Sequence, residues 1–308
     1  MADQSMSRRG FIRGTAAVAA GLAATSSLYA LADQMAEIQK TRSYNPNMEY
    51  RRLGKTGIWV SAVCMGGHWK RIDKMIGANE RLDYAQPKNA ADQSRFDQNR
   101  YEVVSRCIDH GINLIDACTG GEVVAYAKAL RGRRDKMFLN YSWYETEMRN
   151  EAWRTAKKLL EGLDAGMKQA GLEYIDLWRI TCHEKGSNHT RPEVDEFVKA
   201  LDIAKRQGKC RFTGLSSHDR PWLKWLIETY PDIIQVIVSP YTAGSKELPK
   251  DSLFETVRKH DVGWLGIKPC SKAIARSTAP RPKKTTRSPA WPSATSCATR
   301  PSPRPSPA

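Results

Sequence analysis

The stretch VDEFVKALDIAKRQGKCRFTGLS, Val194 to Ser216, holds one complete passage from helix to strand. Val194–Gln207 has helical spacing, Gly208 stops it, and Phe212–Ser216 is a short apolar run of strand length. The same unit repeats in both directions. Strands are expected at Ala62–Met65, Ile112–Asp116, Met137–Tyr141, Ile175–Ile180, Ile234–Val238 and Val262–Ile267, with helices at Arg100–His110, Val123–Leu130, Ala152–Ala170, Trp222–Tyr230 and Leu253–His260. An unbroken β–α alternation predicts a parallel sheet covered by helices. No G-x-G-x-x-G follows the first strand, so a doubly wound dinucleotide-binding sheet is not supported and a barrel is the better reading. Ahead of it, Tyr50–Leu53 and Ile58–Ser61 read as a hairpin around Gly54-Lys55-Thr56-Gly57. Residues 70–98 read as an irregular insertion forming a loop or lid.

The 308 residues suit one barrel-sized domain or two smaller ones. A net charge of +16 would suggest nucleic acid, but its distribution argues otherwise. Residues 271–308 carry eight Lys or Arg and no acid, and residues 1–32 carry a net +2. Subtracting both from +16 leaves +6 for residues 33–270, an ordinary solvated surface that would also suit a phosphorylated cofactor. The seven cysteines include no C-x-x-C pair, which argues against a zinc ribbon or an iron–sulfur cluster, and no local spacing supports a Cys/His metal site.

The two ends differ from the middle. Ser7-Arg8-Arg9-Gly10-Phe11-Ile12-Arg13, an Ala-rich stretch from Gly14 to Leu31 and Ala30-Leu31-Ala32 match a twin-arginine leader with its cleavage site. The expectations are a Tat signal over 1–32, a linker over 33–47, passage through the Tat translocase to the periplasm and no stable membrane span. Residues 271–308 hold eight of the 16 prolines and no apolar periodicity. That segment reads as a disordered basic tail, or as an out-of-frame replacement of the genuine C-terminus, and no eighth strand or helix is expected in it.

A series of short matches, in order, resembles the aldo-keto reductase family between about residues 48 and 270. Met48-Glu49-Tyr50-Arg51-Arg52-Leu53-Gly54-Lys55-Thr56-Gly57 resembles its opening hairpin. Gly111-Ile112-Asn113-Leu114-Ile115-Asp116 resembles its second barrel strand, and Tyr174-Ile175-Asp176-Leu177 its fourth. Gly208–Ser216, Gln235-Val236 with Pro240-Tyr241, and Gly266-Ile267-Lys268-Pro269 resemble the fifth to seventh. The resemblance implies a (β/α)8 TIM barrel, here incomplete after the seventh strand, and an NADP(H)-dependent oxidoreductase acting on a carbonyl or sugar-like small molecule.

The family's Tyr, Lys, Asp and His tetrad is mostly missing. Asp116 keeps the Asp position. The turn Ala117–Glu122 carries no Tyr, Ser142 stands at the Lys position and Thr181 at the His position. Since strand C-termini share one mouth, Tyr141 or Tyr144 could supply a phenol and His183, near Asp116, an imidazole. Ser216, Ser217 and Gln235 take the positions of the family's carboxamide grips, and Lys268 is a phosphate partner. The alternative is a non-catalytic barrel that binds a small ligand in the cell envelope.

Because a receptor reads the arginine pair rather than bulk charge, Arg8→Lys with Arg9→Lys should leave the protein in the cytoplasm with its leader uncut. Fractionation and immunoblotting check this; normal periplasmic yield would refute the leader assignment.

Overall fold

In the computed structural model the described residues are 31–69, 71–82, 87, 89–242, 245, 252–269 and 294–297. Most of the segment read as a leader, residues 1–30 of 1–32, and most of the tail lie outside them. Residues 31–39 are helical (α1). The hairpin β1 (Tyr50–Arg52) and β2 (Trp59–Ser61) follows. The barrel strands are β3 (Val63–Gly66), β4 (Leu114–Asp116), β5 (Phe138–Tyr141), β6 (Ile175–Thr181), β7 (Cys210–Ser216), β8 (Val236–Pro240) and β9 (Gly263–Ile267). Each is parallel to the next. The helices are α2 (Ile72–Ile76), α3 (Ala90–Asp109), α4 (Gly120–Ala129), α5 (Ala156–Ala170), α6 (Arg191–Arg206), α7 (Arg220–Thr229) and α8 (Leu253–Lys259). Among the described residues, none of these helices is long and apolar enough to cross a membrane.

Alternation along the strands builds two cores. Leu114, Phe138, Leu177, Val236, Val238 and Leu265 fill the lumen with Leu53 and Val60 of the hairpin. Ile115, Leu139, Trp178, Leu215 and Ile237 belong to the second core, shared with the covering helices. The hairpin closes the end where the strands begin. Gly54, at φ 51, packs so tightly there that a Cβ would stand 2.3 Å from the amide nitrogen of Gly263.

Three expectations need correction. The insertion 70–98 contains α2 and the first turns of α3, because the Asn89 side chain accepts from the Asp92 amide and starts that helix ten residues before Arg100. The segment read as a linker carries most of α1, and its Arg42 is bonded to the barrel. The tail also supplies a strand. β10 (Ala294–Cys297) pairs antiparallel with β3 and β9 and closes the ring. Seven parallel strands leave two open ladders whose amides and carbonyls need partners. Ala294–Cys297, which lies in a stretch free of proline, meets that need, although its composition has little strand propensity.

At the strand-start end, the buried Asp176 carboxylate accepts from Arg42 and Arg134 through Oδ2 and from Arg211 through Oδ1, with the Leu139 amide as a further donor. Burial pushes its pKa up, the Arg134 and Arg42 cations pull it down, and the net direction is down. This stability is therefore fully present above the unfolded carboxylate's pKa of about 3.9 and is lost as pH falls through the lower folded value. Asp176→Asn should cost about 3–5 kcal/mol in urea unfolding at pH 7. A cost below about 1 kcal/mol would show that the cluster is solvated.

Candidate functional site

At the opposite end, where the strands finish, the inward positions turn from apolar to polar. The step occurs from Leu114 to Asp116 on β4, from Phe138 to Asn140 on β5, and from Leu177 to Arg179 and Thr181 on β6. Period-two alternation aims these side chains into one space. Asp116 Oδ1 accepts from Arg179 Nη2 at 2.7 Å and from Asn140 Nδ2 at 2.8 Å. Arg179 Nη1 donates to Thr181 Oγ1 at 2.9 Å and Ser216 Oγ at 3.2 Å, and stands 3.8 Å from Cys118 Sγ. Burial draws the guanidinium's pKa down, Asp116 and then Cys118 and Glu147 push it up, and the net direction is up. Arg179 is therefore a permanent cation inside the barrel.

A second chain leads from that cation. With Thr181 Oγ1 accepting from Arg179, the Thr181 hydroxyl can donate to Ser142 Oγ at 2.7 Å, and Ser142 donates to Glu147 Oε2 at 2.6 Å. Glu147 also accepts from the Thr181 and Trp143 amides and the Trp178 indole. Burial pushes the Glu147 pKa up against these donors, and the net direction is up. One cation thus faces two carboxylates, one directly and one through two hydroxyls.

The expected site residues divide. Asp116 and Ser216 meet in the lumen through Arg179. Tyr141 does not join them. It alternates outward from Asn140, and its phenol oxygen would stand 2.1 Å from a Cβ on Gly166 of α5. Among the described residues the buried hydroxyl has no hydrogen-bond partner, and burial pushes its pKa up. His183 turns to Arg154, at 2.9 Å, and stacks on His189 with ring centroids 4.6 Å apart. Among the described residues, no hydrogen bond or ion pair joins His183 to Asp116. Burial, then Arg154 and Arg149, lower its pKa.

The expected cofactor contacts divide as well. Ser217 Oγ donates to the carbonyls of His183 and Glu184, stitching the loop after β6. Gln235 precedes β8, and its Oε1 accepts from the Thr213 amide, three residues below Ser216. Lys268, at φ 58, stands at the rim with Nζ 3.4 Å from His218 Nε2. His218 lines a cleft of about 590 Å³ with Lys185, Asp219 and Trp222. Of the expected cofactor contacts, Ser216 faces the lumen and Lys268 stands at the rim beside His218. Ser217 Oγ and Gln235 Oε1 bond to the protein's own backbone.

Sequence reasoning missed Arg179, Glu147 and Glu122. Arg179 was recoverable, since an arginine between Leu177 and Thr181 on an all-buried strand must face the lumen. Glu147 and Glu122 lie in a loop and a helix first turn, where no periodicity marks them.

A model of the aldo/keto reductase family matches residues 87–296. The chain is 23% identical over 247 residues to L-glyceraldehyde 3-phosphate reductase of Escherichia coli K12, covering 74% of this chain and 63% of that protein. It is 21% identical over 240 residues to L-galactose dehydrogenase of Arabidopsis thaliana, covering 76% and 69%. An aldo/keto reductase from Klebsiella pneumoniae, solved with NADP and acetate, superposes with a TM-score of 0.52 at 19% identity, covering 74% of this chain and 70% of its own. The chain thus spans somewhat under two thirds of the Escherichia coli relative.

Tyr141→Phe should leave any turnover unchanged and raise stability by about 1 kcal/mol, because it removes a buried hydroxyl with no partner. Urea unfolding beside a rate assay reads both. A large loss of rate would return Tyr141 to the site.

Proposed function

This chain belongs to the aldo/keto reductase family, and on that premise we propose that it is a Tat-exported, NADP(H)-dependent oxidoreductase of the cell envelope that interconverts a carbonyl and an alcohol on a sugar-like small molecule. The observation that carries the reading is Asp116, at the family's Asp position and bonded to a buried cation at 2.7 Å. The names of two relatives, a reductase of a sugar phosphate and a dehydrogenase of a sugar, support the substrate class.

When bound, the cofactor supplies a hydride. The protein's part is to hold it and to order the substrate oxygen. Lys268 gives the rim a cation for a phosphate, and Ser216 offers a hydroxyl already polarised by Arg179. Asp116, Asn140 and Arg179 form a preorganised floor whose dipoles need no rearrangement during reaction.

One observation favours the second reading, a non-catalytic ligand-binding barrel. Ser142 and Thr181, at the family's Lys and His positions, spend their hydroxyls on the chain to Glu147. Titration with NADPH separates the two. Quenching of nicotinamide fluorescence, with oxidation by at least one member of a panel of aldoses and sugar phosphates, supports the enzyme. No binding at millimolar cofactor supports the barrel. Lys268→Met should raise the Kd for NADPH roughly tenfold, a charge-assisted hydrogen bond being worth about 1.5 kcal/mol. An unchanged Kd would remove Lys268 from the cofactor's contacts.

A further inference from the structure

Three features of the mouth converge on one imidazole. β3 ends at Gly66, and His68, two residues on, takes the left-handed conformation at φ 56. Its amide donates to Glu122 Oε1 at 2.5 Å, and its Nδ1 stands 3.4 Å from the same oxygen. The other carboxylate oxygen accepts from the Cys118 amide at 2.7 Å. Gly67 makes the approach possible, since a Cβ there would stand 2.1 Å from the Glu122 carboxyl carbon. Glu122 is 5% exposed and the His68 side chain 63% exposed, so a buried carboxylate holds a ring that reaches solvent.

We propose that His68, oriented by Glu122, is the proton-transfer group of this site, taking the part for which Tyr141 and His183 are wrongly placed. The inference rests on the carbonyl–alcohol reading above. In reduction, the substrate carbon gains a hydride, whose source is the reduced nicotinamide. The Nε2–H bond of His68 breaks, its proton goes to the substrate oxygen, and an alcohol and a neutral imidazole remain. Solvent then reprotonates the exposed ring. Oxidation of the alcohol runs the same transfer backwards. Glu122 accepts from Nδ1 in both directions, which fixes the tautomer and leaves Nε2 as the nitrogen that exchanges the proton.

The charges around His68 suit this role. Glu122 of α4 raises its pKa most, burial lowers it, Asp116 of β4 raises it and Arg179 of β6 lowers it, with a net rise. The ring therefore lies within the fields of both charges of the lumen pair. The two other imidazoles at the rim are shifted the opposite way. Burial and the cations Arg154 and Lys268 lower His183 and His218 respectively.

The test uses the full chain, NADPH and the best aldehyde or sugar of the panel, with imidazole NMR titration in parallel. In the wild type, kcat/KM for reduction should fall as pH rises through the His68 midpoint, which should lie above 6.5. Glu122→Gln should move the kinetic and NMR midpoints down together. His68→Gln should lose that inflection and roughly 10²-fold or more in rate, with near-UV circular dichroism unchanged because the side chain is exposed. A His68→Gln protein that keeps its rate and pH profile overturns the inference and leaves the oxidoreductase reading intact. So does a His68 midpoint at or below 6.5, or one that Glu122→Gln does not move. A wild type inert toward every substrate offered sinks the reading, and the inference with it.

Discussion

The ion pair between Asp116 and Arg179 constrains everything at the mouth of this barrel. Taking a guanidinium out of water costs several kcal/mol, and one carboxylate at 2.7 Å rarely offsets that alone. The rest of the lumen acts as the supplement. Thr181, Ser216 and the Ala117 carbonyl accept from the guanidinium, Asn140 donates to the shared carboxylate, and Ser142 passes the field on to Glu147. A buried network is stable only when its members are satisfied together. Two atoms here are not: Arg179 Nε and Asn140 Oδ1 have no partner among the described residues. Unmet polar capacity in a lumen suits a site more than a core.

The two ends of the barrel solve the same problem differently. Around Asp176, arginines outnumber carboxylates, the cations come from separate segments, and the hairpin beside them closes the lumen to ligands. Around Asp116 the balance is reversed, with one cation against two carboxylates and with hydroxyls and a thiol between them. The first arrangement fastens β5, β6 and β7 to the chain entering the domain. The second leaves polar groups facing an open mouth. That difference agrees with the general division of such barrels into a stability face and a site face.

Much of the fold was legible because its signals are local. Gly208 after a helical run, and apolar segments of strand length such as Ile175–Ile180, need no tertiary information. The start of α3 was not legible, because Phe96 is the one large apolar residue in 90–99 and only the Asn89 cap marks the helix start. β10 was not legible for a different reason. Ala294–Cys297 has weak strand propensity, and its pairing is imposed by the open ladders of β3 and β9. The inward placement of Asp116 and Ser216 was readable from position. Tyr141 was misread because a strand end supplies residues to both faces, and only parity with Asn140 assigns the phenol to the outer core. Ser217 and Gln235 bond to backbone groups as well, because a polar side chain at a strand terminus is as useful to the backbone as to a ligand.

Parity also explains where the cation went. The family's Lys position falls here on Ser142, too short to carry charge into the lumen. Arg179 enters instead from the neighbouring strand, two residues below the family's His position, and its reach lets one side chain touch the Asp116 carboxylate, Thr181 and Ser216 at once. A lysine ammonium, with a single charged atom, could not span those partners in one plane. The change of residue fixes a change of chemistry. A guanidinium does not deprotonate at any working pH, so Arg179 can polarise a neighbouring oxygen but cannot relay a proton. Under the proposed reading, proton movement belongs to a group that titrates near neutrality and reaches solvent, which neither Arg179 nor Tyr141, packed outward against α5, is.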